Sequence, residues 1–363
     1  MVEIEPARYP RPVRMIYIIT GLIFALNCPA DPVDDLVKSE MAKHQIPGLA
    51  LMVAQHGKET RTAAYGFANL EWNIPVTPAT VFEIGSVTKQ FTAACILLLA
   101  EDGKLSLDDK ISRYLKSTPA SWSDITIRQL LTHTSGIKSY TGLDGFELAR
   151  HLTQEQFIAQ LGAVPLVFPP GERFSYCNTG YNLLGDIIEN VSGEKYWNFL
   201  TEKILGPLGM SATTNREPSR ILELRAAGYE QDKTNGLVNR DVNYTDLFSA
   251  GEMVSTVGDL MKWDAALDTQ KILKNSSKEQ MWTSAKLNNG KPTGYGFGWF
   301  LEPLNGHKTI SHPGSTSGFA AANLRFPDDG LTIVVLCNSG EDGVADHLAK
   351  AVAGIYLTGK NQP

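Results

Sequence analysis

Basic blocks and metal-type spacings are both missing from this sequence. Its 363 residues carry 33 Lys and Arg against 39 Asp and Glu, a formal net charge of -6, and no Lys- or Arg-rich run. Proteins that follow a phosphate backbone usually show such runs interleaved with aromatic residues. The seven histidines show no His-x-x-x-His spacing, and the cysteines show no Cys-x-x-Cys spacing. We therefore expect no nucleic-acid partner, no metal and no other cofactor.

The chain also lacks an apolar run long enough to span a bilayer. Met15–Leu26 is mostly apolar, but a transmembrane helix needs roughly 20 such residues. Three arginines precede this stretch, namely Arg8, Arg11 and Arg14. The layout is typical of a secretory signal peptide rather than of a membrane anchor. The sequence thus predicts a signal peptide over residues 1–30, export to the periplasm or the cell exterior, and no stable membrane span after cleavage.

Cysteine is scarce, with four residues in the chain. Cys28 leaves lipid attachment open as an alternative, although Ala25-Leu26-Asn27 is a poor version of the usual lipoprotein signal. Cys95, Cys177 and Cys337 remain, and three thiols cannot all pair with one another. Because they lie in an apolar helical run, beside a candidate catalytic tyrosine and in a strand-like run, we expect buried thiols.

Strand patterns lie at both ends of the chain, and helical periodicity fills the middle. The predicted strands are Gly48–Ala54, Thr60–Gly66, Gly296–Phe300, Lys308–Ser311, Ala320–Phe326 and Thr332–Asn338. The predicted helices include Pro32–His44, Ser86–Leu99, Tyr181–Val191, Tyr196–Leu205, one that ends at Leu267, and Ala345–Tyr356. Thr126 and Thr153 are predicted helix caps. This order predicts a sheet that joins the two ends, with helices packed on it and a site between sheet and helical insert.

Nucleophile signals are weak when taken one at a time. No Gly-x-Ser-x-Gly elbow occurs, which argues against an α/β-hydrolase. Ser-x-x-Lys occurs three times, beginning at Ser86, Ser135 and Ser192. Ser135 and Ser192 are each followed by glycine at the end of a helical run, so turn chemistry explains them. Only Ser86 opens a long apolar helix, where Lys89 shares its face.

A serine hydroxyl is a weak nucleophile until a base takes its proton. Lys89 can be that base only when neutral, and lowering a lysine pKa from about 10.4 to near 7 takes roughly 4 to 5 kcal/mol. Burial can supply this amount. Tyr176-Cys177-Asn178 adds a tyrosine that can pass a proton and an amide that can orient lysine and substrate. A second Tyr-x-Asn string, which begins at Tyr196, lies in an amphipathic helix and is predicted core.

His312-Pro313-Gly314-Ser315 is the third candidate element, placed between a strand-like run and Gly318-Phe319. Glycine lets a backbone edge approach a substrate closely, so the amide of Ser315 could join that of Ser86 in an oxyanion hole. Taken alone, His312 would more often be a surface histidine or one whose hydrogen bonds are satisfied within the fold.

The order Ser-x-x-Lys, Tyr-x-Asn, His-x-Gly resembles the serine β-lactamase and penicillin-binding-protein superfamily. Surrounding runs strengthen the likeness, namely Leu130 to Gly136, Asn178 to Gly185 and Ser249-Ala250-Gly251. The tyrosine motif is similar to the class C β-lactamase branch, which also holds family VIII esterases, D,D-peptidases and D-aminopeptidases. The resemblance spans Val33 to Tyr356. It implies an α+β fold, an α/β sandwich with an antiparallel sheet from residues 31–106 and 256–363, and an all-helical lobe over residues 107–255.

Carried over by motif, the resemblance makes Ser86 the nucleophile, Lys89 its base, Tyr176 the proton relay and Asn178 an orienting group. His312, Gly314 and Ser315 would bind substrate. Class C β-lactamases have lysine where His312 stands, and histidine is mostly neutral at pH 7. We therefore expect an exported hydrolase of short esters or D-residue peptides and amides. A class C-like β-lactamase, or a slowly deacylating penicillin-binding sensor or scaffold, stays as the alternative.

Overall fold

Hydrophobic segments from both ends of the chain form the central sheet of the computed structural model. The structure describes residues 31–147, 152–217, 219–240 and 247–358, and the predicted signal peptide lies outside them. The strands are β1 (Gly48–Gln55), β2 (Lys58–Asn69), β3 (Ile74–Pro75), β4 (Phe82–Glu83), β5 (Thr214–Asn215), β6 (Tyr229–Asp232), β7 (Gly236–Asn239), β8 (Met253–Ser255), β9 (Ile310–Thr316), β10 (Phe319–Phe326) and β11 (Leu331–Cys337). Six of them make one antiparallel sheet in the order β3-β2-β1-β11-β10-β9.

The helices cover both faces of this sheet and fill the middle of the chain. They are α1 (Pro32–Lys43), α2 (Thr88–Glu101), α3 (Ile127–Leu131), α4 (Gln154–Gly162), α5 (Asn178–Ser192), α6 (Tyr196–Leu200), α7 (Gly206–Leu208), α8 (Phe248–Gly251), α9 (Val257–Leu267), α10 (Asn275–Met281) and α11 (Val344–Thr358). A π-helical turn, Thr201–Leu205, follows α6. No described helix has the length and apolar character to cross a membrane.

Side-chain alternation along the strands produces two hydrophobic cores. In β1, Ala50 and Met52 belong to the core that also holds α2, α5 and α9. Leu49, Leu51 and Val53 belong to the other core, with α1 and α11. Successive strand residues point to opposite faces, so one strand contributes to both layers. The predicted α+β fold with an antiparallel sheet from both chain ends is confirmed.

The described part of residues 107–255 contains short strands as well as helices, so this lobe is not all-helical as predicted, but two of its helix starts match the sequence signals. Thr126 and Thr153 both form capping boxes, with Gln129 and Gln156 respectively. Short strands accompany the helices: β5 joins β4 and β8 in a small sheet, and β6 pairs with β7. These strands are two to four residues long, too short for a periodic signal in the sequence.

Two predictions about the last third of the chain were wrong. Residues 296–300 form no strand and make only isolated bridges, because Gly298 takes a positive φ of 78° that a regular strand does not allow. The strand predicted over 308–311 is β9, which runs on through Pro313 to Thr316. Pro313 can continue this strand because β9 is an edge strand, where the missing proline N–H costs no ladder bond.

Candidate active site

Ser86 lies in a single 3-10 turn, Gly85–Val87, that leads directly into α2. The predicted helix thus begins as a tighter turn, with the α-helix proper starting at Thr88. Gly85 has a φ of +50°, and a Cβ there would lie 2.7 Å from the backbone nitrogen of Ser315. Glycine is therefore required before Ser86, both for the backbone conformation and for the approach of β9. The turn leaves Ser86 half-buried.

Lys89 follows one helical turn later, and its side chain is completely buried. Its Nζ lies 3.1 Å from Ser86 Oγ, 2.7 Å from Asn178 Oδ1 and 2.7 Å from the carbonyl oxygen of Ala250. The last two atoms can only accept hydrogen bonds. A neutral amine has two N–H bonds to donate to them, and its lone pair then faces the Ser86 hydroxyl. The site can therefore hold lysine as a base directed at Ser86.

Burial lowers the pKa of Lys89 well below its usual value. No carboxylate of the described residues lies among the charges that act on this pKa. The rings of Tyr176 and Tyr181 lie 4.8 and 5.5 Å from Nζ, and their π faces favour the ammonium form to a smaller extent. Desolvation dominates, so the environment favours the neutral amine.

Asn178 is the first residue of α5, not a loop residue ahead of it as the predicted start at Tyr181 implied. Its backbone N–H donates to Ser139 Oγ at 3.1 Å, and its Nδ2 donates to Thr141 Oγ1 at 3.3 Å. These contacts fix the amide so that its oxygen faces Lys89. The helix start thus orients a side chain that the Tyr-x-Asn string only suggested.

Tyr176 lies between Ser86 and His312. Burial raises the pKa of its phenol, and the adjacent Ser86 hydroxyl acts in the opposite direction. The phenol oxygen lies 3.5 Å from His312 Nε2, and the ring lies parallel to that of Phe300 with 6.4 Å between centroids. A protonated phenol beside the serine can carry a proton between the serine side and a departing group.

His312 is buried in β9 and is uncharged at neutral pH. Its Nδ1 lies 2.5 Å from the carbonyl oxygen of Pro313, so Nδ1 carries the proton and Nε2 is left to accept. Nε2 accepts a hydrogen bond of 3.0 Å from the hydroxyl of Tyr295. Burial, with a contribution from Lys89, lowers the pKa of His312 to about 3. The uncharged state predicted for the His312 imidazole therefore follows from its burial and from the nearby Lys89.

Gly314 and Ser315 bring the edge of β9 against the turn that carries Ser86. A Cβ on Gly314 would lie 2.0 Å from the carbonyl oxygen of Ile84 and 3.1 Å from the backbone nitrogen of Ser86. Ser315 is exposed, and its hydroxyl donates to Asp342 at 2.7 Å. The backbone edges of Ser86 and Ser315 thus face one another where a substrate carbonyl would need two N–H donors.

Sequence reasoning missed a buried aromatic cluster behind the site. His133 packs on Tyr176 with 4.3 Å between ring centroids and on Tyr295 with 4.7 Å. Its Nδ1 accepts the backbone N–H of Cys177 at 3.0 Å. Burial, followed by the charges of Lys89 and His312, lowers the pKa of His133 well below its usual value. His133 belongs to the run Leu130 to Gly136 that strengthened the family resemblance. Nothing in this run predicts the contact between His133 and Tyr176.

The other motif copies have structural roles. Ser192 ends α5, its hydroxyl donates to the Ile188 carbonyl oxygen at 2.6 Å, and Gly193 follows in the left-handed conformation. Ser135 is buried beyond α3. Tyr196 is buried in α6 against Thr92, 2.8 Å between their oxygens. The prediction of turn and core roles for these copies is confirmed.

The predicted buried thiols are also confirmed. Cys95, Cys177 and Cys337 are free and buried. Burial raises the pKa of Cys177 to about 11, which keeps the thiol beside Tyr176 protonated and unreactive.

Comparison with known proteins matches residues 33–356 to the model of a single family, described as Beta-lactamase. Penicillin-binding protein 4* of Bacillus subtilis is 34% identical over 83% of this chain. The chain covers 70% of that relative's length, and 64–65% of the length, less than two thirds, of other curated relatives that it matches.

Solved structures also match over most of the chain. An octameric penicillin-binding protein homologue from Pyrococcus abyssi has 32% identity and a TM-score of 0.78, covering 91% of this chain and 78% of that one. A D-stereospecific amidohydrolase from Streptomyces sp. has 26% identity and a TM-score of 0.76, covering 87% of this chain and 97% of that one.

Proposed function

We propose that this chain works through an acyl-enzyme on Ser86. The chain belongs to the beta-lactamase family and is a serine hydrolase of that family. The observation that carries the proposal is the position of Lys89. Its buried Nζ lies 3.1 Å from Ser86 Oγ while two obligatory acceptors take its N–H bonds. Burial in this setting favours the neutral form of the lysine, whose lone pair can then take the serine proton.

Acylation follows from these contacts. The Ser86 Oγ proton passes to Lys89 Nζ while Oγ bonds to the substrate carbonyl carbon. The carbonyl oxygen becomes an oxyanion held by the backbone N–H groups of Ser86 and Ser315. Tyr176 delivers a proton to the leaving amine or alkoxide as its bond to the acyl carbon breaks, and the phenol is reprotonated from Lys89. Water then attacks the acyl carbon as Lys89 Nζ takes one of its protons, the bond between Oγ and the acyl carbon breaks, the carboxylic acid departs, and Lys89 returns the proton to Ser86 Oγ.

The substrates we propose are short esters and the amides or peptides of D-residues. His312 supports the esters and amides of this choice, which need no free carboxylate, because its neutral imidazole offers a substrate no positive charge, unlike the lysine of class C β-lactamases. The likeness to a D-stereospecific amidohydrolase supports the amide side of the proposal. A small substrate of this kind needs only uncharged hydrogen-bond donors. The site offers the backbone N–H groups of Ser86 and Ser315 and the side-chain amide of Asn178.

Slow deacylation is the second candidate, favoured by the name of the curated relative, penicillin-binding protein 4*. In that case Ser86 would be acylated by a penicillin and released slowly. Efficient β-lactam hydrolysis fits less well, because the substrate carboxylate would meet a neutral His312.

The test compares turnover of a p-nitrophenyl ester, a D-alanyl amide and a chromogenic cephalosporin with labelling by a fluorophosphonate and a fluorescent penicillin. We expect ester or D-amide turnover and fluorophosphonate labelling in the wild type, and neither in Ser86→Ala or Lys89→Ala. Ser135→Ala is the matched control, and it keeps both. Labelling without turnover supports the slow-deacylation candidate, and equal activity in Lys89→Ala and the wild type contradicts the mechanism.

We further propose export of the protein, supported by the arginines ahead of the apolar stretch Met15–Leu26. Mass spectrometry of the chain from the native host tests this. A new N-terminus near residue 30 supports a cleaved signal, and a diacylglyceryl mass lost in Cys28→Ala supports lipid attachment. An intact start at Met1 contradicts both.

A further inference from the structure

A cluster of two imidazoles and a carboxylate lies outside the Ser86 site, where α1 meets α11. Glu40 lies in the last turn of α1 and His44 directly follows the helix, with its backbone N–H donating to the Glu40 carbonyl oxygen at 2.9 Å, so the two side chains share one face. His347 lies on the first turn of α11. Both helices pack on the core that does not contain α2. One ligand atom from each of the three residues lies within 4.8 Å of the other two.

The separations match those that a tetrahedral ion imposes on its ligands. Zinc binds imidazole nitrogen and carboxylate oxygen at about 2.0 to 2.2 Å, which places neighbouring ligand atoms about 3.3 Å apart in a tetrahedron. His44 Nε2 lies 3.3 Å from Glu40 Oε2, and His347 Nε2 lies 3.1 Å from the same oxygen. Only the distance between the two imidazoles has to shorten, and the side chain of His347, 55% exposed, is free to turn.

The outer contact of His44 sets the tautomer that a metal needs. Its Nδ1 lies 2.8 Å from Glu341 Oε1, a pure acceptor when ionised, so Nδ1 carries the proton. The lone pair is then on Nε2, which is buried and makes no hydrogen bond among the described residues. A carboxylate behind a metal-binding histidine is the usual outer contact of zinc sites.

We propose that Glu40, His44 and His347 form a Zn²⁺ site that ties α1 to α11, with water as the fourth ligand. Two imidazoles and one carboxylate are ligands that zinc prefers. Lys43 Nζ lies 3.3 Å from the Glu40 carboxylate and competes with a cation, but its side chain is 61% exposed and can move into solvent. The sequence predicted no metal because spacing motifs detect only ligands that are close together in the chain. His44 and His347 are far apart in the sequence.

The site is structural. It joins the start of the described chain to its last helix, so ion binding stabilises the folded state and leaves the Ser86 chemistry unchanged. An ion that binds only the folded chain raises its stability in proportion to the logarithm of the free ion concentration.

The experiment uses the untagged full chain after treatment with a chelator and dialysis. We expect one Zn²⁺ per chain by competition with a chromogenic chelator, a rise in Tm with added Zn²⁺, and a visible absorption band of tetrahedral Co²⁺. His44→Ala and His347→Ala should each lose the Co²⁺ band and the Tm rise. Glu341→Gln should weaken zinc binding by 10- to 100-fold, because only the outer contact changes.

His307→Ala is the matched control, since His307 pairs with Asp329 at 2.7 Å but belongs to no such group among the residues that the structure describes. It should bind zinc as the wild type does, and Lys43→Ala should bind it more tightly. His347→Ala should hydrolyse substrate at the wild-type rate. Absence of a Co²⁺ band in the wild type, or a band that survives both histidine substitutions, overturns the proposal.

Discussion

Lys89 Nζ lies 2.7 Å from Oδ1 of Asn178, the first residue of α5. This contact joins the helix that carries the candidate nucleophile to a helix of the middle segment. It also takes one of the amine's N–H bonds, while the Ala250 carbonyl takes another. The direction of the remaining lone pair follows from these two acceptors. The protonation state of Lys89 is therefore sensitive to what stands at position 178.

Asn178→Asp should shift the pH profile of hydrolysis towards alkaline pH. A carboxylate within about 4 to 6 Å raises the pKa of a lysine by about 1 to 3 units, so less of Lys89 is neutral at pH 7. We expect kcat/KM at pH 7 to fall tenfold or more and to recover as pH rises. Asn178→Ala adds no charge and should lower activity without the alkaline shift. The same shift in both variants would contradict the lone-pair argument.

Tyr176→Phe should slow acylation about 10²- to 10⁴-fold, the usual contribution of a proton-transfer group. Phenylalanine keeps the ring contacts with Phe300 and His133, so the loss belongs to the hydroxyl. Stopped-flow labelling with a p-nitrophenyl ester measures the acylation rate, and KM reports binding, which should change little. The control is Tyr196→Phe, which changes the tyrosine of the other Tyr-x-Asn string. This variant should be acylated at the wild-type rate.

His312→Lys should lower KM for substrates that carry a free carboxylate. The wild-type imidazole, with a pKa of about 3, is neutral across the working range, whereas a lysine here offers a charged donor. Charge-assisted hydrogen bonds contribute about 1.5 to 3 kcal/mol, and burial of the new charge offsets part of this, so we expect about a tenfold decrease. Matched substrates with and without the carboxylate make the comparison. Equal changes in KM for both would refute the electrostatic role.

The sequence predicted those parts of the site whose residue types and local spacing are dictated by the chemistry. Ser86 and Lys89 are three residues apart on one helical turn, and their contact follows from helix geometry. The sheet was predictable because its strands keep continuous apolar or alternating patterns, and the capping boxes because their residues are adjacent in the chain. Tyr176 and His312 entered only through the order of motifs.

Long-range packing accounts for what the sequence could not predict. The Ala250 carbonyl is an acceptor for Lys89 only because α8 packs on α2, and any residue type supplies a carbonyl. His133 depends on an aromatic cluster assembled from four separate segments. The edge position of β9, which lets Pro313 stay in a strand, depends on sheet order rather than on local propensity.

Gly314→Ala should abolish acylation. A Cβ at this position would lie 2.0 Å from the Ile84 carbonyl oxygen, far inside van der Waals contact. β9 must therefore move away from the Ser86 turn, which separates the two backbone donors of the oxyanion hole. Each such donor is worth about 2.7 to 4 kcal/mol, or 10²- to 10³-fold in kcat. Gly354→Ala, where a Cβ meets nothing within 4 Å, is the control. Circular dichroism separates loss of fold from loss of acylation, and a folded Gly314→Ala with wild-type kcat would contradict the placement.

Asp186 should make the protein less stable as pH rises from about 4 to 7. Burial raises the pKa of this α5 carboxyl to about 7, from 3.8 in an unfolded chain. A raised pKa means that the folded state holds the proton more tightly, so its contribution is complete below pH 3.8 and is lost as pH rises through 7. The shift of about three pKa units corresponds to at most about 4 kcal/mol. Asp186→Asn, which cannot ionise, should lack this loss and be the more stable protein at pH 8. Urea unfolding at pH 4, 6 and 8 measures the difference, and parallel pH curves for the two proteins would show that Asp186 is ionised in the folded state.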